Sequence, residues 1–129
     1  MKKRRRRRGY HTGVHQSHKS GGPCHYRSGW ELLLMQWFDS EPSVASYGYE
    51  TVVVPYVSNS RSGRQRRYFP DFLVEFTDGR RVLVEVKPSK RLAQARVQKK
   101  LAAAREWCGA HGVALQVITE KELRGMGLL

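Results

Sequence analysis

Before residue 50, apolar side chains recur at helical spacing in one place. Trp30, Leu33, Leu34, Trp37 and Phe38 stand at i, i+3, i+4, i+7 and i+8, the period of one face of an α-helix. Ser28 precedes the run as an N-cap, and Glu31 sits in the first turn, just off the apolar stripe. Ser28-x-x-Glu31 is also the spacing of a capping box, in which the glutamate reaches back to the Ser28 amide. The predicted helix ends near Asp39-Ser40-Glu41-Pro42.

The pattern then changes to strands. TVVVPYV, residues 51–57, reads as a strand that Pro55 confines to an edge or a bulge. A polar segment follows, SNSRSGRQRR, with arginines at 61, 64, 66 and 67 and no acid; it reads as a loop that delivers positive charge to the next strand. FLVEFTDGRRVLV reads as a hairpin turning at Asp78-Gly79, a favoured turn dipeptide. Its second strand runs through Glu85-Val86-Lys87 and stops at Pro88. Residues 91–108 read as a second helix with Val97, Leu101, Ala104 and Cys108 on one face, ended by Gly109 and Gly112. VALQVIT, 113–119, is a last strand, and Thr119-x-x-Glu122 caps a short final turn. The order is helix, three strands, helix, strand.

The hairpin carries the chemistry. Side chains at i and i+2 of a strand share a face, so Glu85 and Lys87 point one way and Val86 the other. The hairpin also brings Asp71, at the head of the first strand, towards Glu85. Two acids beside a lysine can hold a hard divalent cation and position a water for phosphodiester hydrolysis.

Charge points to a polyanionic partner. The 129 residues carry a formal net charge of +13, extreme for a chain that holds one domain. Residues 1–22 contribute +8 with no acid, and residues 23–129 contribute +5. The run Arg4, Arg5, Arg6, Arg7, Arg8 is a handle for phosphate whose affinity should fall steeply with salt. Residues 1–25, basic and then rich in His, Ser and Gly, read as an arm too polar to pack, disordered until a partner orders it. Nuclear-import-like, anionic-membrane and RNA-binding roles compete for such a run.

His11, His15, His18, Cys24 and His25 match no closed zinc spacing. Cys24 and Cys108 do not make a disulfide framework and suit a reducing cytoplasm. No stretch of the chain is long and apolar enough to span a membrane, and no apolar run follows the charged start as in a secretory signal.

Pro70-Asp71 followed by Glu85-Val86-Lys87 matches the motif of the PD-(D/E)XK, restriction-endonuclease-like nucleases, whose core order is α-β-β-β-α-β. YRSGWELLLMQWFD (26–39), ETVVVPY (50–56), RRYFPDF (66–72) and VEVKP (84–88) resemble the head-completion nucleases of T-even-like tailed phages. With the closing ITEKEL (118–123), the chain is also similar to the N-terminal domain of TnsA-type transposon-end endonucleases. The resemblance covers about residues 26–123. TnsA-type sites often carry Gln where this chain has Glu85.

That resemblance implies an α/β restriction-endonuclease-like core, residues 26–129, with a mixed sheet flanked by helices. It implies a Mg²⁺- or Mn²⁺-dependent endodeoxyribonuclease whose catalytic set is Glu31, Asp71, Glu85 and Lys87. Asp71, Glu85, the Val86 carbonyl and Glu31 would hold the metal, with Glu50 behind them. Arg27, Arg64, Arg66, Arg67 and Tyr68, with the basic arm, would touch DNA, Tyr68 standing at the site's entrance. Phage head or neck proteins, or transposition proteins, are the implied partners, in the bacterial cytoplasm or the virion. Two other readings stay open: a DNA-binding head or neck structural protein without catalysis, and a TnsA-like nuclease that needs a partner.

Overall fold

The computed structural model describes residues 12–129. The run Arg4 to Arg8 and His11 lie outside the described residues. The elements are β1 (Gly13–His15), β2 (Cys24–Tyr26), α1 (Gly29–Ser40), β3 (Val44–Tyr49), β4 (Val54–Asn59), β5 (Arg64–Tyr68), β6 (Phe72–Phe76), β7 (Arg81–Val86), α2 (Ala95–His111), β8 (Ala114–Ile118) and α3 (Glu120–Gly125). A short 3-10 turn, Ser89–Arg91, follows β7.

The main sheet has the order β3-β6-β7-β8. β3, β6 and β7 are antiparallel neighbours, and β8 joins β7 in parallel after the α2 crossover. Read along the chain, α1-β3-β6-β7-α2-β8 is the α-β-β-β-α-β core of the restriction-endonuclease-like fold.

Alternation along β6 and β7 divides the apolar residues between two faces. Phe72, Val74 and Val84 pack with Leu34, Met35 and Phe38 of α1 and Leu123 of α3. Leu83 packs on the other face with Ala104 and Cys108 of α2, and with Val54, Tyr56 and Tyr68 of the β4–β5 hairpin. The turn between β6 and β7 is a three-residue loop: Gly79 donates to the Phe76 carbonyl, Phe76 to that of Arg80, and Gly79 holds φ 88°. Only glycine takes that angle without strain.

Four expectations are corrected. The first strand of the main sheet is β3, from VASYGY, a segment that the hydrophobic pattern passes over. A register shift between Val44 and Ser46 puts Val44 and Tyr47, three apart, both in the core, which breaks the period of two. The stronger apolar run at 51–57 forms β4, which pairs only with β5 in a separate two-stranded sheet. As Pro55 required, it is no central strand.

The arginine-rich segment, expected to be loop, closes into β5 through backbone pairing alone; every residue from Arg64 to Arg67 is exposed. The second helix starts later and runs further, to His111, carrying Gly109 inside it. Gly112, at φ 65°, ends it, with the Val113 amide donating to the Cys108 carbonyl.

Residues 12–25 are not an unpacked tail. β1 and β2 pair, and Cys24 is 3% exposed in the core. The Lys19 ammonium donates to the Phe38 and Glu41 carbonyls at the end of α1, 2.9 and 2.8 Å. That end has no basic residue of its own, so Lys19 supplies the positive charge a helix C-terminus favours. His15 and Ser17 both bond the Asp39 carboxylate, which holds the strap on α1. Polar side chains therefore do the packing here, and hydropathy does not register them.

Candidate active site

Asp71 and Glu85 meet because of sheet register. Phe72 pairs with Val84 in the antiparallel β6–β7 ladder, so Asp71, one step back, stands opposite Glu85, one step on. Like charges placed directly across a ladder repel. The Val86 amide donates to Asp71 Oδ2 at 2.7 Å, which fixes that carboxylate against the strand end.

Glu85 is 4% exposed, and its Oε2 is buried without a hydrogen-bond partner. Orphaned buried carboxylate oxygens are rare and costly. Burial pushes Asp71 up to about 7 despite the Val86 amide, with the Glu31 charge adding to it and Lys87 opposing. Burial likewise raises Glu85 to about 7, against the pull of Lys87 and Lys100.

Glu31 lies on the buried stripe of α1 with Leu34, Met35 and Phe38, not beside it. The Trp30–Leu33–Trp37 edge is only half-buried, so the true stripe is rotated by about one position. Ser28 caps the helix by accepting from the Glu31 amide at 3.2 Å. The Glu31 carboxylate completes no capping box; its Oε1 accepts from the Arg27 amide at 2.9 Å. Tyr49, which no motif flags, directs its hydroxyl at both Glu31 oxygens, 3.2 and 3.1 Å. Burial is the main cause of the raised pKa of Glu31.

Glu31, Asp71 and Glu85 line one cleft of about 500 Å³, together with Arg27, Glu50, Arg67, Tyr68, Phe69, Lys87 and Lys100. Glu50 holds φ 55°, rare for a residue with a side chain. Its amide donates to the Asp71 carbonyl at 2.9 Å, and its carboxylate faces Arg27 at 3.3 Å. Arg27 is mostly exposed, so that pair adds little stability. Val86 is half-buried.

Arg64, Arg66 and Arg67 line a larger neighbouring groove of about 830 Å³ with Arg96, Lys99 and Lys100 of α2. The two spaces share Arg67, Phe69 and Lys100. Tyr68, expected at the entrance, lines the cleft from within the α2-side core: it is 6% exposed, and its hydroxyl is buried without a partner. The exposed aromatic at the entrance is Phe69, 40% exposed.

Among the described residues no three His, Cys, Asp or Glu side chains stand close enough to form a ready-made metal cage. The donor set still fits one kind of ion. Two facing carboxylates and an orphaned oxygen suit Mg²⁺, which keeps several waters and takes only one or two protein carboxylates. Cys24 and Cys108 are free and buried in different cores. No helix among the described residues is long and apolar enough to cross a membrane.

Residues 41–120, more than half of the chain, match the family model described as TnsA-like endonuclease N terminal. The chain belongs to that family. It is also 29% identical to the head completion nuclease of Enterobacteria phage T4, over 79% of this chain and 82% of that protein. Both comparisons are to nucleases. Asp71, Glu85 and Lys87 fall inside the matched residues and Glu31 outside them, so the place of Glu31 rests on geometry.

Removing the Tyr49 hydroxyl isolates its hold on Glu31. Tyr49→Phe is expected to slow cleavage about tenfold, the worth of one hydrogen bond to a charged group. Tm should stay within a few degrees. Cleavage rates and thermal melts of the two proteins check this.

Proposed function

We propose that this protein is a metal-dependent DNA endonuclease and that Glu31, Asp71, Glu85 and Lys87 form its active site. The observation that carries the reading is the buried, unpartnered Glu85 Oε2 opposite Asp71, both carboxyls held near 7 by burial. A protein gains nothing in stability from that arrangement, and shifted groups of this kind concentrate at sites that do chemistry. Asp71, Glu85 and the Val86 carbonyl would hold Mg²⁺ or Mn²⁺, with Glu31 reaching it through water. The ion supplies charge against the scissile phosphate and makes a bound water more acidic.

Lys87, just past the end of β7 and in the cleft with Glu85, steadies the negative charge that grows on the phosphate and orients the attacking water. Tyr49 and the Arg27 amide fix the Glu31 carboxylate. Arg64, Arg66 and Arg67 meet the DNA backbone from the β5 side, a contact that positions without reading sequence. Likeness to a head completion nuclease favours a role in finishing phage heads, in the host cytoplasm or on the virion. The family favours a second reading, a nuclease that cuts only beside a partner protein.

The test is cleavage of an end-labelled duplex in MgCl₂ and in EDTA. Fragments should form only with metal, and DNA ligase should reseal them without prior phosphorylation, which reports 5′-phosphate and 3′-hydroxyl ends. Binding without cleavage in either buffer, unchanged by added partner, would leave a DNA-gripping protein and overturn the nuclease reading.

A further inference from the structure

Lys100 bears on Glu85 only through its charge, without a hydrogen bond, and its surroundings leave room for a further role. It comes from α2, not from the β6–β7 hairpin, and it lines both the catalytic cleft and the basic groove. Among the described residues no carboxylate or carbonyl accepts a hydrogen bond from its ammonium. Its neighbour Lys99, by contrast, donates to the Ser58 carbonyl at 3.1 Å. The Lys100 ammonium lies 5.5 Å from the centre of the Tyr68 ring, and that ring is buried beneath it. Half-burying a cation costs free energy unless an anion meets it. Burial pulls the Lys100 pKa down, Lys87 and Arg96 add repulsion, and the charge of Glu85 offsets this only in part.

The groove beyond Lys100 explains the arrangement. Its lining includes Arg64, Arg66, Arg67, Arg96 and Lys99 and no acid. The cleft on the other side holds Glu31, Asp71 and Glu85. Lys100 therefore marks the boundary where the acidic space gives way to a basic one, and a phosphate chain crossing it would need a cation there.

We propose that Lys100 grips the DNA phosphate next to the scissile one, where the backbone passes from the catalytic cleft into the groove between β5 and α2. This rests on the nuclease reading for the position of the scissile phosphate. The grip itself requires only that DNA follows the groove. A structural alternative is that Lys100 merely covers Tyr68 with its aliphatic stem.

The experiment measures DNA affinity against salt in EDTA, where no metal can bridge protein to DNA. A short duplex is titrated with wild type, Lys100→Met, Lys100→Arg and Lys121→Met. Methionine keeps the stem over Tyr68 and removes the charge; Lys121 is an exposed control on α3. Lys100→Met is expected to weaken binding about fivefold to tenfold and to flatten the slope of log K against log salt by about 0.9, the signature of one lost phosphate contact.

Lys100→Arg should keep the slope, and Lys121→Met should match wild type. An unchanged slope for Lys100→Met, or equal losses in Lys121→Met, would overturn the grip, as would a wild type that binds no DNA at low salt. Wild-type cleavage in MgCl₂ is scored separately. A flattened slope without cleavage, even with added partner, would retain the grip and remove the nuclease; cleavage with an unchanged slope would do the reverse.

Discussion

Asp71→Asn is expected to abolish metal-dependent cleavage and yet to make the metal-free protein more stable at pH 8. Asparagine keeps an oxygen to accept from the Val86 amide, the bond that Asp71 Oδ2 makes at 2.7 Å. It removes the charge that would hold the cation, and cleavage should fall at least about 10³-fold, roughly 4 kcal/mol of transition-state stabilisation.

The stability gain follows from linkage. Asp71 and Glu85 titrate near 7 in the folded chain against ordinary values of 3.8 and 4.5. Between about pH 4 and pH 7 the folded state thus binds more protons than the unfolded one, and metal-free stability falls as pH rises through that window. Removing this half-buried charge should raise Tm at pH 8 by roughly 4–8 °C, about 1–2 kcal/mol, and flatten the pH dependence. Melts of both proteins in EDTA at pH 5 and pH 8 measure it. A variant less stable than wild type at pH 8 would show that burial does not strain these carboxylates.

Lys87→Met is expected to lower cleavage by about 10²–10³-fold, mostly in kcat, as for a charge that acts on the transition state more than on bound DNA. Its side chain is only half-buried, so Tm should change little. Lys87→Arg should recover only part of the rate, because a planar fork does not replace a point charge beside a water. Single-turnover rates and affinities for all three proteins separate kcat from binding. A loss confined to binding would move Lys87 from the chemistry to the DNA grip.

The hairpin that builds the site was legible because its signals are local. Asp78-Gly79 marks the turn, and the i, i+2 rule puts Glu85 and Lys87 on one face. The Asp71–Glu85 meeting followed from the register that the turn sets. Glu31 was visible as a residue type at the right place, but its burial was not. The Trp30–Leu33–Trp37 edge mimics a core stripe, whereas aromatic rings half-covered by neighbours need not face the core.

β3 was hidden by a bulge that breaks alternation. β5 was hidden by a side-chain set with no apolar period. The packing of residues 12–25 rests on single polar contacts, Lys19 to the end of α1 and His15 to Asp39, that leave no periodic trace. Tyr49 and Lys100 reach the site from elements that carry no motif, and only tertiary structure brings them there.

One cleft, built by Asp71, Glu85 and Lys87, is expected to cut DNA with a metal. The most direct measurement is conversion of supercoiled plasmid by wild type, Asp71→Asn and Lys87→Met, purified side by side and assayed in Mn²⁺ and in EDTA. Nicked or linear plasmid should form with wild type in Mn²⁺ and in no other lane. Equal cleavage by both variants, or cleavage that persists in EDTA, would contradict the account.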